Sequence, residues 1–93
     1  MVVGLLQLWI RVPDAMSLKD KRRAIKSIKD RIANRFNVSV AEVGLLDSRR
    51  DAHLAVAWVS NDSGFTQSCL SKVVNLVQSR PKLEMLDYSI EMI

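Results

Sequence analysis

The densest run of side chains that could do chemistry is a cationic stretch between residues 19 and 35. More than half of the 14 Lys and Arg residues fall there. Clustered cations bind the phosphate backbone of nucleic acids, with an affinity that falls steeply as salt rises. The alternative is a solvated helix face, partly compensated by Asp20 and Asp30. The eight cations are Lys19, Lys21, Arg22, Arg23, Lys26, Lys29, Arg31 and Arg35.

Some of these cations share one side of a predicted helix. Arg22, Lys26 and Lys29 fall on one flank of its apolar stripe. Lys19 and Arg23 lie further around the helix. Two more arginines lie in a polar turn at residues 47–51, where they either extend this surface or pair with the neighbouring aspartates. The predicted nucleic-acid-binding residues are Lys19, Arg22, Arg23, Lys26, Lys29, Arg49 and Arg50.

The two tryptophans could stack on RNA bases. RNA-binding sheets place aromatic side chains on their central strands, and Trp9 and Trp58 lie on the two strands predicted to be central. However, residues 51–58 lack the aromatic and glycine signature of such modules, and aromatic residues make up only 5% of the chain. A core or interface position is therefore the favoured interpretation of each tryptophan.

No catalytic or metal centre can be assembled from the sequence. His53 and Asp51 would share a strand face, but an acid–base site also needs a pocket and a positioned substrate. Cys69 occupies an apolar helix position, which predicts core packing. One Cys and one His cannot form a zinc site, and the three glycines form no phosphate-binding loop. We therefore expect a non-enzymatic protein without a cofactor.

Length and composition indicate one globular domain over residues 1–93. The chain is 48% hydrophobic and 26% charged, as in ordinary folded proteins. No apolar run is long enough to span a membrane, and the first residues lack the features of a signal peptide, so we expect a cytoplasmic protein. The net charge of +4 permits nucleic-acid binding without requiring it.

The hydrophobic periodicity predicts six elements in the order β-α-β-β-α-β. A capping box at residues 17–20 begins a first helix that runs to about Arg35, and Pro81 follows the second helix. Right-handed crossovers then favour an α+β, ferredoxin-like split β-α-β sandwich, with two helices on one face of a four-stranded antiparallel sheet. The strands are expected at residues 2–12, 37–43, 53–59 and 83–93.

The other face of this sheet would be uncovered. Along the first strand, alternate residues from Leu6 to Val12 would face the helices. The opposite row is unusually apolar, which predicts a homo-oligomer or a partner docked on the sheet. The predicted interface residues are Leu5, Gln7 and Trp9.

Four segments of the chain are together similar to one family. They are residues 2–6 (VVGLL), 17–23 (SLKDKRR), 36–43 (FNVSVAEV) and 59–62 (VSND). With these segments the chain resembles the YlxP-like family, small bacterial domains of unknown function. The resemblance implies a ferredoxin-like fold and a gene neighbourhood rich in translation and ribosome-maturation factors. It supplies no catalytic residues.

These observations favour a basic binding module that acts on RNA or a ribosomal particle through the first helix. The alternative is a homo-oligomeric interaction domain that uses the open sheet face.

Overall fold

A computed structural model describes residues 1–93 and confirms the predicted order of elements. All strand pairs are antiparallel, and the strands lie side by side in the order β2-β3-β1-β4. This is the ferredoxin-like α+β fold expected from the sequence. No helix is long and apolar enough to cross a membrane. The elements are β1 (Val2–Arg11), α1 (Leu18–Arg35), β2 (Ser39–Gly44), β3 (Asp51–Ser60), α2 (Ser63–Gln78) and β4 (Glu84–Met92).

The core lies between the sheet and the two helices. Leu6, Leu8 and Ile10 are fully buried, because β1 is a central strand and its even-numbered side chains all point toward the helices. The helices contribute apolar stripes at helical spacing, and Cys69 is buried as predicted. The helix residues in the core cluster are Ile25, Ile28, Ile32, Leu70, Val73, Val74 and Val77.

Side-chain caps fix where both helices begin. The Ser17 hydroxyl accepts a hydrogen bond from the Asp20 amide at 3.1 Å, which is one half of the predicted capping box. The Asp20 carboxylate accepts from the Met16 amide at 3.1 Å instead of from the Ser17 amide. In α2, Asp62 accepts from the Phe65 amide at 3.0 Å. These caps orient the first turn of each helix on the sheet.

One cation of the first helix is not on its surface. Lys21 is completely buried, so it is unavailable to any ligand of that surface. Its ammonium group lies 2.9 Å from the Glu42 carboxylate and donates to the carbonyls of Leu45 (3.1 Å) and Asp51 (3.2 Å). The cationic stretch therefore has seven members that reach solvent, and the eighth fastens the β2–β3 hairpin to α1.

Candidate nucleic-acid interface

The predicted cations of α1 form a convex surface. Lys19, Arg22, Arg23 and Lys26 are exposed, and Lys29 is half-buried. Lys26 is compensated in part, because its ammonium group lies 2.7 Å from the Asp30 carboxylate one turn further along. None of the other four forms an ion pair, so most of this surface carries uncompensated positive charge.

The hairpin arginines lie beside the first turn of α1. The Arg50 guanidinium donates to the Ala15 carbonyl at 3.2 Å, and the Arg50 carbonyl accepts from the Val12 amide at 2.7 Å. These bonds hold the β2–β3 turn against the loop that leads into α1. Arg49 is exposed, and neither arginine pairs with Asp47 or Asp51. The turn therefore brings two further cations to the N-terminal end of the helix surface.

The helix layer also contains a trough that sequence reasoning missed. It follows the side of α1 that faces α2 and the α2–β4 turn, opposite Arg22 and Lys26. A cavity of about 280 Å³ lies between Ser27 and Arg31 on one wall and Arg80 and Lys82 on the other. We call this feature the α1–α2 trough. Its cations are Arg31, Arg35, Lys72, Arg80 and Lys82.

The trough continues toward the C-terminal end of α1. A second concavity of about 370 Å³ shares Arg31 with the first, and a third of about 550 Å³ shares Arg35 and Leu76 with the second. Lys72 of α2 lines the third. A helical projection places Arg31 and Arg35 on this flank, but only the folded chain shows that Arg80 and Lys82 lie across from them.

The open sheet face carries a polar cluster around His53. Its ring stacks on Trp9 with centroids 4.6 Å apart and planes 13° from parallel, and its Nε2 lies 2.8 Å from the Gln7 side-chain oxygen. Opposite the ring stands Gly44, where a Cβ would come within 2.9 Å of His53 Nδ1. Glycine at this position therefore leaves room for the imidazole beside β2.

His53 and Asp51 share this face but do not interact. The Asp51 carboxylate instead holds the Arg11 guanidinium through two bonds of 2.8 and 3.2 Å. This hydrogen bond, together with the charge of Arg11, keeps the pKa of Asp51 below its usual value and raises that of Arg11. His53 and Asp51 therefore do not form an acid–base pair, because His53 contacts Gln7 and Asp51 binds Arg11.

The two tryptophans lie on opposite faces of the sheet. Trp9 is on the open face, and Trp58 points toward the helices. Trp58 packs edge-on against Phe36 (6.4 Å) and Phe65 (6.1 Å). The pair cannot form one stacking platform, which agrees with the core interpretation of Trp58.

Comparison with known proteins supports the resemblance seen in the sequence. The family model described as "Protein of unknown function (DUF503)" matches residues 3–90. The uncharacterized protein YlxP of Bacillus subtilis (strain 168) is 34% identical over 83 residues, which cover 89% of this chain and 90% of that protein. The order of elements, the sheet and these matches all agree, and the chain belongs to the DUF503 family, the YlxP-like domains of unknown function.

Proposed function

We propose that this protein is a non-enzymatic, cytoplasmic module that binds RNA, as free RNA or within a ribosomal particle, through the cations of its first helix. One observation carries the proposal: positive charge is concentrated on the helix layer, and negative charge on the open sheet face. A polyanion is attracted to the first surface and repelled by the second.

The open face is acidic because it carries four carboxylates and one cation, at its end and along β4. Strand register places Arg11 there as its single cation, paired with Asp51. The helix layer has the opposite balance, since α1 presents seven solvent-reaching cations and only Asp20 and Asp30 as acids. The acids of the open face are Asp51, Glu84, Asp87 and Glu91.

This distribution favours the helices over the sheet as the RNA surface. Sheet-based RNA recognition needs aromatic rings on a face that tolerates phosphate. Here Asp87 is the β4 residue opposite Trp9, and Trp58 lies on the other face. Electrostatic binding through α1 is the mode that the charges support.

The test is binding of the purified protein to ribosomal RNA and to intact ribosomal subunits across a salt series. Arg22→Gln, Arg23→Gln and Lys26→Gln are combined in one variant. We expect saturable binding by the unaltered protein and a log–log salt slope that is shallower by about 2 to 3 in the variant, since each lost phosphate contact removes slightly less than one unit.

A matched control separates the effect of charge on α1 from the effect of the protein's net charge. The variant Asn61→Asp, Gln67→Glu, Gln78→Glu also lowers the net charge by three, at exposed positions away from α1 and with side chains of the same shape. It should bind nearly as well as the unaltered protein. Absence of binding by the unaltered protein, or equal losses in the two variants, would contradict the proposal.

A second candidate function is self-association through the open sheet face. An apolar centre with a charged rim is the usual anatomy of a protein interface. The centre here is uncharged and is built from Leu5, Gln7 and Trp9 beside Ala55 and Ala57. The charged groups stand at its end or along the β4 edge, so a second copy would bury the uncharged centre and leave the acids at the margin.

A further inference from the structure

The α1–α2 trough is lined by cations that form no ion pair. Its three concavities contain no Asp or Glu, and the acids nearest to it, Asp14 and Asp20, line a separate concavity that shares Ser27 and Lys82 with the first. The ion pairs of the chain are all elsewhere, at Arg11–Asp51, Lys21–Glu42 and Lys26–Asp30. Like charges gathered in a concave surface repel one another, and a bound polyanion relieves that repulsion. The trough therefore has the electrostatics of an anion site.

The shape of the trough selects a strand over a small anion. The concavities follow one another along α1, linked by Arg31 and then by Arg35, which are one turn apart. Residues four apart on a helix are separated by about 6 Å along its axis. Arg31, Arg80 and Lys82 share the first cavity, and Arg35 and Lys72 continue the series along the helix. A cluster that is extended into a row in this way suits a chain of phosphates.

A single strand suits the trough better than a duplex. The first cavity lies between α1 and the α2–β4 turn, and the second lies between α1 and Leu76 of α2, so each is a cleft between neighbouring elements of one small layer. Proteins that hold single strands combine a basic groove with an aromatic ring on which a base can stack. Phe36 lies half-buried at one end of the trough, with the Arg35 guanidinium over its ring at 5.9 Å, so a base would stack there in place of that guanidinium.

The arginines of the trough can bind phosphate with a defined geometry as well as by charge. A planar guanidinium can give two parallel hydrogen bonds to one phosphate, and it stays charged at every physiological pH. Arg31 and Arg80 line the same cavity from opposite walls, with Lys82 beside Arg80. The convex surface around Arg22 and Lys26 has no comparable concavity, so it can attract RNA but cannot enclose a strand.

We propose that the α1–α2 trough binds the phosphodiester backbone of single-stranded RNA, with Arg31, Arg80 and Lys82 as its main contacts. This inference rests on the proposed function and names the form of RNA and the residues that hold it. The convex surface of α1 then acts on the folded exterior of the same RNA.

The experiment measures anisotropy of a fluorescein-labelled oligouridylate of about 12 nucleotides, within the range of about 4–16 that a basic groove covers. The trough variant is Arg31→Gln, Arg80→Gln, Lys82→Gln. The matched flank variant is Lys19→Gln, Arg22→Gln, Lys26→Gln, which removes the same charge from exposed positions outside the trough. Circular dichroism confirms that both variants are folded.

We expect the trough variant to lose about tenfold or more in affinity and to show a salt slope shallower by about 2, since each single-strand phosphate contact contributes about 0.7. The flank variant should lose much less. A duplex of the same length should bind more weakly than the single strand. Inorganic tripolyphosphate, at equal phosphate concentration, should compete poorly.

Other outcomes separate this inference from the proposed function. The flank variant could lose as much oligouridylate affinity as the trough variant, or more, while the unaltered protein still binds ribosomal RNA. That result would overturn the trough as the single-strand site and leave the proposed function standing. Effective competition by tripolyphosphate, or a preference for the duplex, would also overturn it. Failure to bind ribosomal RNA in any form would remove both.

Discussion

The Lys21 ammonium nitrogen lies 2.9 Å from a Glu42 carboxylate oxygen, and none of the lysine side chain is exposed to solvent. The same nitrogen donates to the carbonyls of Leu45 and Asp51, at the two ends of the β2–β3 turn. Leu45 has a φ of 57°, which is uncommon for a residue with a side chain. A buried lysine thus holds the hairpin, and with it Arg49 and Arg50, against the helix surface.

Lys21→Met should be strongly destabilising. It leaves the Glu42 carboxylate without its partner in a site where only 14% of that side chain is exposed. Removing one member of a buried ion pair costs about 3–5 kcal/mol. The double variant Lys21→Met, Glu42→Gln removes the stranded charge and should recover part of the loss. Denaturant unfolding measures both, and equal stability of the single and double variants would show that Glu42 is not the cause.

Gly4→Ala should also destabilise the fold, for a steric reason. A Cβ at this position of β1 would collide with Thr66 Cγ2 and lie 2.8 Å from Leu70 Cδ1. Forcing a methyl group into a packed core costs about 1–3 kcal/mol. Thr66→Ser removes Cγ2 and keeps the hydroxyl that bonds to Ser60 and Asp62. Combined with Gly4→Ala it should recover part of the stability, since the contact with Leu70 remains, and no recovery in thermal unfolding would contradict this account.

The Arg11–Asp51 pair should give a pH-dependent contribution to stability. The pKa of Asp51 is lowered in the folded protein, chiefly by its hydrogen bond to Arg11, with a smaller effect from Lys21. Its stabilising contribution is therefore complete above the unfolded pKa, about 3.9, and is lost as pH falls through the lower folded value. Asp51→Asn should reduce the free energy of unfolding at pH 7 by a small amount, since the pair is partly exposed.

The comparison that checks this uses unfolding measured at several pH values. The difference between the unaltered protein and Asp51→Asn should shrink steadily below about pH 4. Glu84 also faces Arg11 and interacts with its charge, so Glu84→Gln serves as the second control. A difference that is constant across this range would mean that the ionisation of Asp51 does not stabilise the fold.

Trp9→Glu should prevent the proposed self-association. The new carboxylate would stand at the centre of the open face, where burial against a second copy is costly. We expect the unaltered 10.5 kDa chain to show twice its mass in light scattering at high micromolar concentration, and the variant to be a monomer. Met16→Glu also introduces a carboxylate, at an exposed loop position, and should not alter the mass. A monomeric unaltered protein would overturn this candidate.

The two surfaces should also be independent. Trp9→Glu should leave RNA binding unchanged, because Trp9 lies on the sheet face away from the helix layer. The combined Arg22, Arg23 and Lys26 variant should keep the mass of the unaltered protein. Light scattering and RNA binding on the same two samples measure both effects, and a variant that loses both properties would link the surfaces.

The fold could be predicted because its patterns are local. The alternation of β1 is unbroken, so the inward row through Leu6, Leu8 and Ile10 was correct. The cap at Ser17 and the end of α1 at Arg35 were also correct. Strand ends were less accurate: β2 begins at Ser39 instead of residue 37, and β3 begins at Asp51 instead of residue 53. The early start of β3 depends on pairing with Arg11, forty residues away.

The candidate sites were harder to predict from the sequence, because their residues are brought together by tertiary structure. Lys21 lies four residues before Ile25, so a helical projection could have placed it on the apolar stripe, but its partner Glu42 is distant in sequence. Arg31 and Arg35 could have been assigned to a second flank by the same projection. The position of Arg80 and Lys82 could not, because packing of the α2–β4 turn against α1 decides it.

The placement of the two tryptophans on opposite faces gives the molecule two separate optical reporters. Trp58, packed between Phe36 and Phe65 under the helices, senses whether the core is assembled. Trp9, stacked on His53, senses what covers the sheet. In a Trp58→Phe background, emission that is unchanged on adding RNA but altered on raising protein concentration would assign each ligand to its own side of the molecule without any label.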